Sequence, residues 1–162
     1  MSEGIKTATG PAAGAPWWVT IFTPVTRSVL GTRIPMGFNG LITIRGRKSG
    51  LPRTTPIAII QVSGRRWVWS PWGEVNWVRN LRAAGEAELE IGATRRRMRA
   101  VELTPEEGAA FFRNVIAPYV ARLALPWRLG VRALIRFAAP EIQTDPYRAA
   151  LAHPVFELVE EA

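Results

Sequence analysis

The sequence contains no cysteine and only one histidine and one aspartate, His153 and Asp145. Without cysteine the chain can form no disulfide, no thiolate nucleophile and no cysteine-bound metal site. A Ser-His-Asp triad would need both single residues, and neither lies near a Gly-x-Ser-x-Gly turn. A metal site built from several histidines is excluded as well, so we expect no metal. If the protein is an enzyme, a bound cofactor is therefore expected to carry the chemistry.

Long apolar runs are also missing, because no stretch reaches the roughly 18–20 residues that a membrane-spanning helix needs. Residues 1–16 are rich in Ala, Gly, Thr and Pro and lack the apolar centre of a signal peptide. We interpret them as a flexible leader and residues 17–162 as one domain. With no cysteine to suggest an oxidising compartment, the expected location is cytoplasmic.

Positive charge is abundant, with 21 Lys and Arg against 13 Asp and Glu and a net charge of +8. Such an excess predicts an anionic partner: a phosphorylated cofactor, a membrane surface or a nucleic acid. The chain has no recognition-helix pattern and no aromatic RNA-binding motif. We therefore do not expect nucleic acid to be the partner.

Hydrophobic patterning predicts a mainly β structure with helices, of the α+β class. About six strands are expected, several of them joined by short turns, which favours an antiparallel barrel over a doubly wound sheet. Pro56 indicates an edge strand or a bulge. The predicted strands are 41–44, 54–62, 66–70, 86–91, 95–103 and 155–159. Helices are predicted within 17–37, at 74–84, after the capping box that starts at Thr104, and at 127–138.

The segment GRKSGLPR at residues 46–53 combines glycines and basic residues without any acid. Glycine lets an anion approach backbone amides in a tight turn. Lysine adds a point charge, and arginine adds a planar fork that matches phosphate oxygens. Ser49, Thr54 and Thr55 supply hydroxyl groups. The segment is thus a candidate anion site, although its spacing also fits an ordinary basic hairpin turn.

Two blocks of the sequence resemble one known family. GRKSGLPRTTP at residues 46–56 looks very like the hallmark of the deazaflavin-dependent nitroreductases, split β-barrel oxidoreductases that use coenzyme F420. WVRNLRA at residues 77–83 is similar to the Trp-x-x-Asn-Leu-x-Ala helix of the same family, and the likeness extends over about residues 38–103. It implies an FMN-binding-like split β-barrel and hydride transfer from reduced F420 to a quinone, a nitro compound or an activated enone.

The resemblance also implies roles for individual residues. Basic residues of the hallmark would hold the cofactor phosphate and the start of its oligoglutamate tail, and the turn at 70–73 would meet the deazaflavin ring. Trp77 and Asn80 would contact the far side of the ring, although an ordinary core position is an alternative for Trp77. The implied cofactor-binding residues are Arg47, Lys48, Ser49, Gly50, Arg53, Thr54, Ser70, Pro71, Trp72, Gly73, Trp77 and Asn80.

The proton that completes the reduction would come from solvent or from one of two catalytic candidates, Tyr147 and Ser70. The carboxyl-terminal part departs from the family, because His153 stands where an isoleucine is usual and Tyr147 alone matches the usual tyrosines. We expect His153 to be structural, and Trp67 and Trp69 to lie in the core. FMN in place of F420, and a non-catalytic cofactor or lipid carrier on the same barrel, are the alternatives.

A second basic feature lies in the predicted helix 127–138. Its apolar face is formed by Trp127, Val131, Leu134, Ile135 and Ala138, and Arg128, Arg132 and Arg136 recur beside it. Core packing with a solvated arginine stripe is the favoured interpretation. Docking to an anionic membrane surface is the alternative, and it would suit a hydrophobic small-molecule acceptor such as a quinone. The sequence leaves a monomer and a homodimer open.

Overall fold

The computed structural model of the protein describes residues 40–161. The predicted leader at 1–16 and the helix predicted within 17–37 lie outside the described residues. Within the described part, seven strands form one sheet in the order β2-β1-β5-β6-β7-β4-β3. All paired strands are antiparallel. The strands are β1 Gly40–Arg45, β2 Pro52–Ile57, β3 Ile60–Val62, β4 Arg65–Trp69, β5 Glu86–Ile91, β6 Thr94–Glu102 and β7 Val155–Glu160.

The two edge strands of this sheet, β2 and β3, follow one another in the chain. Only Ala58 and Ile59 separate them, so the ends of the two strands lie within about 11 Å of each other. The sheet must therefore curl until its edges approach, which confirms the predicted antiparallel split barrel of the α+β class. The single strand predicted at 54–62 is wrong, because the chain crosses from one edge to the other there. This division raises the strand number from about six to seven.

The helices of the described part are α1 Asn76–Ala84, α2 Pro105–Phe111, α3 Ala117–Arg122, α4 Leu125–Ala138, α5 Glu141–Thr144 and α6 Pro146–Ala152, with one π-helical turn at Phe112–Ile116. Helix α1 ends as predicted at Gly85, which has φ +69°. The predicted capping box between Thr104 and Glu107 is confirmed at the start of α2. The sequence patterning missed α3, α5 and α6. None of the helices between residues 40 and 161 is both long and apolar enough to span a bilayer.

Two hydrophobic cores lie on opposite faces of the sheet. The first contains Val78 and Leu81 of α1 together with inward residues of six strands, among them Val68. The second contains Trp67 and residues of the later helices. Trp67 and Val68 are neighbours on β4 and so point to opposite faces. The core positions expected for Trp67 and Trp69 are confirmed, because their rings lie 5.8 Å from Phe111 and 5.6 Å from Phe112 respectively.

Helix α4 packs differently from the prediction. Ile135 is buried and Val131 packs against the second core. Trp127 and Leu134, expected on the same buried face, are 37% and 38% exposed. Helix α4 lies at the margin of the helical layer, beside α3, so that only a narrow strip of its surface is covered.

Candidate cofactor-binding site

The β1–β2 hairpin ends in a compact loop at residues 46–51. Arg45 pairs with Pro52 at its base. The amide of Gly46 donates to the Leu51 carbonyl at 2.8 Å, and the amide of Gly50 donates to the Gly46 carbonyl at 2.8 Å. Gly50 has φ +68°, and a Cβ on Gly46 would lie 2.9 Å from Ser49 Oγ. Gly50 is thus required by the backbone conformation of the loop, and a side chain at Gly46 would crowd the Ser49 hydroxyl.

The hydroxyl of Ser49 contributes to this shape, since it accepts a hydrogen bond from the Leu51 amide at 3.3 Å. Ser49 is exposed. A hydroxyl that accepts one bond keeps its own hydrogen for a second partner. Ser49 can therefore donate to an anion outside the loop without giving up its bond inside it.

Four basic side chains surround the loop without neutralisation. Arg45, Arg47, Lys48 and Arg53 are all exposed, and in the described part of the chain none of them forms an ion pair. The arginines of the sheet surface behave differently. Arg95, for example, lies 2.8 Å from Glu90 and 3.3 Å from Glu88. The hairpin loop therefore keeps a concentrated positive charge that is available to an anionic group.

The strand register decides which side chains share a face beside the loop. Arg53 pairs with Ile44, and Thr54 pairs with Thr43. Directly paired residues of antiparallel strands point to the same side, so Arg53 lies on the face of the buried Ile44 and Thr54 on the opposite face. The Thr54 hydroxyl is hydrogen-bonded to Thr43 Oγ1 at 2.8 Å. The structure thus brings Arg53, but not Thr54, to the side of the sheet that helix α1 covers.

Helix α1 is tied to the hairpin loop by Asn80. Both the backbone amide and the Nη1 atom of Arg47 donate to Asn80 Oδ1, at 3.3 and 2.9 Å. Asn80 is only 9% exposed, and its helix is held in the first core by Val78 and Leu81. The contact expected between Asn80 and the cofactor ring stays a prediction, and the structure shows in addition that the carbonyl oxygen of Asn80 orients Arg47. No sequence signal links these two residues, which are 33 positions apart.

The turn at residues 70–73 lies between β4 and α1. The amide of Ser70 donates to the Pro154 carbonyl at 3.1 Å, and the amide of Gly73 donates to the Ser70 carbonyl at 3.3 Å. Gly73 has φ +69°, and a Cβ there would lie 3.1 Å from the carbonyl oxygen of Ala152. Pro71 and Trp72 are partly buried. The turn is thus packed tightly against the end of α6.

Helix α1 begins just after this turn and offers free backbone donors. Val75, the residue before its first turn, makes no side-chain capping bond, and no acidic residue occurs in that turn. The first amides of a helix lack partners within the helix and mark the positive end of its dipole. Together with Arg47, which contacts the same helix through Asn80, these amides make the surroundings of α1 favourable for a negatively charged ligand.

The candidate catalytic residues occupy different surroundings. The Ser70 side chain is completely buried, and its hydroxyl has no hydrogen-bond partner among the described residues. Ser70 therefore contributes its backbone to the turn, while its hydroxyl lies below the surface. Tyr147 is 46% exposed. It lies on α6, the helix whose last residue, Ala152, abuts Gly73.

The remaining aromatic and histidine candidates are packed. Trp77 lies partly buried against the first core, with its ring 6.4 Å from that of Phe156. His153 is 6% exposed and meets the Trp69 ring edge-on at 6.3 Å. Its Nε2 atom lies 3.6 Å from a carboxylate oxygen of Glu141. Both residues occupy positions typical of structural side chains, although Trp77 is only partly buried.

The chain is similar to one protein family and to several solved structures. A family described as F420H(2)-dependent quinone reductase matches residues 19–123. Among solved structures, a conserved hypothetical protein from Mycobacterium tuberculosis is 13% identical, with a TM-score of 0.50 over 86% of this chain and 81% of that one. An F420-H2 dependent reductase is 20% identical, with a TM-score of 0.43 over 74% of this chain and 91% of that one. No curated protein matches significantly.

Proposed function

The chain belongs to the F420H(2)-dependent quinone reductase family, and we propose that it transfers a hydride from reduced F420 to a quinone. It is an oxidoreductase, and its cofactor is coenzyme F420. Quinone, nitro and activated enone acceptors share an electron-poor centre that accepts a hydride, and the family description favours the quinone among them.

The observation that carries the proposal is the unneutralised basic loop held on a rigid support. Arg47, Lys48 and Arg53 are free of ion pairs in the part of the chain that the structure describes. Arg47 is oriented by Asn80 from a helix anchored in the core. A site with several unpaired cations, one of them held in place, suits a cofactor that carries a phosphate and carboxylates.

When bound, coenzyme F420 supplies the hydride, and the chain supplies binding and orientation. Arg47, Lys48 and Arg53 would bind the anionic groups of the cofactor. The backbone of the turn at 70–73 and the partly buried Trp77 would border its ring. Since Ser70 Oγ is buried, the proton is assigned to solvent, with Tyr147 as the residue to test.

Cofactor binding tests the first part of the proposal. Titration of the purified protein with F420 should give a Kd well below about 100 µM, which corresponds to more than about 5–6 kcal/mol, and FMN should bind more weakly. Replacing Lys48 and Arg53 together with alanine should weaken F420 binding by about 100-fold or more, because each charge-assisted contact contributes roughly 1.5–3 kcal/mol.

The matched control is the double variant R95A/R97A. It removes the same number of charges, but from exposed positions on β6 that pair with glutamates of β5. This control should keep the affinity of the natural protein, and circular dichroism should show both double variants folded. Equal affinity of K48A/R53A and the natural protein for F420 would rule out the hairpin loop as the cofactor site.

Turnover tests the second part. Reduced F420 should be oxidised by a quinone faster than by a nitroaromatic compound or an enone, as followed by the absorbance of the oxidised cofactor. Tyr147→Phe should leave kcat nearly unchanged if solvent supplies the proton, whereas a loss of about ten-fold or more would assign the proton to Tyr147. Tight F420 binding without oxidation by any acceptor would favour the carrier alternative.

A further inference from the structure

Helix α4 exposes apolar side chains on the face turned away from the protein core. Phe137 is 85% exposed, and Leu125 and Leu129 are 59% and 57% exposed. These three residues and the exposed Ala133 follow one another at intervals of four, so they form one row along the helix. A helix that packs against a core on one face normally presents polar residues on the other. The outer face of α4 is therefore unusually apolar, which indicates that a partner covers it.

The segment of the chain that carries this row is basic and contains no acid. Residues 108–140 include five arginines and no aspartate or glutamate. Arg132 and Arg136 are exposed beside the apolar row, and Arg128 lies half-buried one turn earlier. No ion pair involves any of the five arginines within the described residues, whereas the sheet arginines are paired repeatedly.

The apolar row and the unpaired arginines beside it restrict which partners could cover α4. A second copy docked through the same face would bring the unpaired arginines of two α4 helices together, since a two-fold contact joins the same surface of both copies. Residues 17–37 of the chain carry Arg27 and Arg33 and no acid, so they too would add like charge. The partner must offer negative charge to the arginines and apolar contact to the row of apolar side chains. A lipid bilayer with acidic headgroups offers both, since its acyl chains lie below its charged surface.

We propose that α4 docks the protein on anionic membranes, with its apolar row facing the acyl chains. Phe137, Leu129 and Leu125 would lie at the boundary between headgroups and acyl chains. Arg132 and Arg136 would bind lipid phosphates at the edge of the buried strip, as planar guanidinium groups do. Docking would bring the protein to the layer in which lipophilic hydride acceptors dissolve, and it requires none of the residues assigned to F420.

Vesicle binding by the full-length protein tests this surface. The protein should sediment with phosphatidylcholine vesicles that contain about 30 mol% phosphatidylglycerol and not with phosphatidylcholine alone, and about 0.5 M NaCl should weaken the binding. R132Q/R136Q should lower the partition coefficient about 25-fold, at about five-fold per arginine. Phe137→Ser should lower it by about ten-fold or more through the lost apolar contact.

The matched control is R95Q/R97Q, which removes the same charge from the sheet surface and should bind vesicles nearly as well as the natural protein. Each α4 variant should keep its affinity for F420 in solution, which separates this proposal from the cofactor assignment. The absence of binding to acidic vesicles, or an equal loss in the control and in R132Q/R136Q, would overturn the docking proposal.

The absence of cysteine permits a direct measurement of the covered face. In Ala133→Cys, an environment-sensitive fluorophore should shift to the blue when acidic vesicles are added, while the same label at Thr94→Cys, the exposed first residue of β6, should not. An Ala133 label that is already blue-shifted without vesicles at every protein concentration would show that the chain covers its own helix. A shift that grows with protein concentration would show a second copy, and either result would reject the membrane proposal.

Discussion

At the scale of single residues, Asn80 and Arg47 connect the first core to the charged loop. Asn80 Oδ1 accepts both hydrogen bonds from Arg47, and the asparagine is almost completely buried. A flexible surface arginine loses side-chain entropy when it binds a ligand. The hydrogen bond to Asn80 restricts the Arg47 guanidinium before any ligand binds. The entropy that Arg47 loses on binding is therefore smaller.

Asn80→Ala should therefore weaken F420 binding by about ten-fold, because a hydrogen bond to a charged group contributes roughly 1.5–3 kcal/mol and part of it serves orientation. Isothermal titration with Asn80→Ala, Arg47→Ala and the double variant measures the coupling between the two residues. A double variant no worse than Arg47→Ala would show that Asn80 acts through Arg47. Fully additive losses would instead indicate a direct contact of Asn80 with the cofactor. Asn76→Ala, at an exposed position of the same helix, is the control.

Gly73 lies too close to a neighbouring backbone atom to accept a side chain without a shift, unlike Gly64 in the β3–β4 turn. Gly73 and Gly64 both have positive φ, +69° and +79°, but a Cβ would meet the Ala152 carbonyl oxygen only at Gly73. Gly64→Ala should cost about 1 kcal/mol of unfolding free energy from backbone strain alone. Gly73→Ala should cost about 1 kcal/mol more, since its Cβ also displaces the end of α6. Urea unfolding measures both, and equal costs would show that the contact with Ala152 is not important.

At the scale of elements, helix α1 joins the parts of the candidate site. It follows the turn at 70–73, contacts the hairpin loop through Asn80 and buries Val78 and Leu81 in the first core. Its exposed side is held by Arg82, which bridges Glu74 and Glu102 at 2.6 Å each. These two carboxylates raise the pKa of Arg82 through their hydrogen bonds, that of Glu102 being the stronger. The helix is therefore fixed from both its buried and its exposed side.

The pairing of β4 and β7 has a pH-dependent component. Arg65 donates to both carboxylate oxygens of Glu157 at 2.7 Å, and this hydrogen bonding lowers the pKa of Glu157. The pair thus stabilises the fold at pH values above the ordinary glutamate pKa of about 4.3, and this contribution disappears as the pH falls through the lowered value.

We expect Glu157→Gln to reduce the free energy of unfolding by no more than about 1 kcal/mol near neutral pH, because Arg65 is largely exposed. The difference from the natural protein should shrink when the pH falls below about 4. Urea unfolding over this pH range measures it, with Glu106→Gln, which removes a carboxylate without an ion pair in the described residues, as the control. A difference that stays constant down to low pH would show that Glu157 acts by packing rather than by charge.

The elements also show how far local sequence reaches. The β5–β6 hairpin, the capping box at Thr104 and the Gly85 end of α1 were predicted from near neighbours alone, and all are present. The exposure of Trp127 and Leu134 could not be predicted in this way. Helical spacing identifies an apolar face, but the neighbours that cover it come from distant parts of the chain.

At the scale of the whole molecule, the two cores share strands. Trp67 and Val68 of β4, and likewise Val155 and Phe156 of β7, contribute to opposite cores. Loss of either core removes packing from one face of the same two strands. The described part of the chain is therefore expected to unfold as one cooperative unit.

Leu81→Ala in the first core and Phe112→Ala in the second should each cost about 2–5 kcal/mol. Both variants should shift a single unfolding transition, with far-ultraviolet circular dichroism and tryptophan fluorescence giving the same midpoint. Two separate transitions in either variant would mean that the helical layer folds independently of the barrel.

The sequence by itself determined the features that depend on neighbouring residues: the strand periodicity, the glycine turns, the helix caps and the basic hairpin. Its two family-like blocks also identified the cofactor and the barrel. Only the tertiary structure decided that 54–62 divides between two sheet edges, that Asn80 holds Arg47, and which arginines have acidic partners. These features depend on how the sheet curls and on which distant side chains it brings together, and no local pattern encodes either. The basic hairpin can be read from the chain, but its rigid support and its freedom from ion pairs arise from the fold.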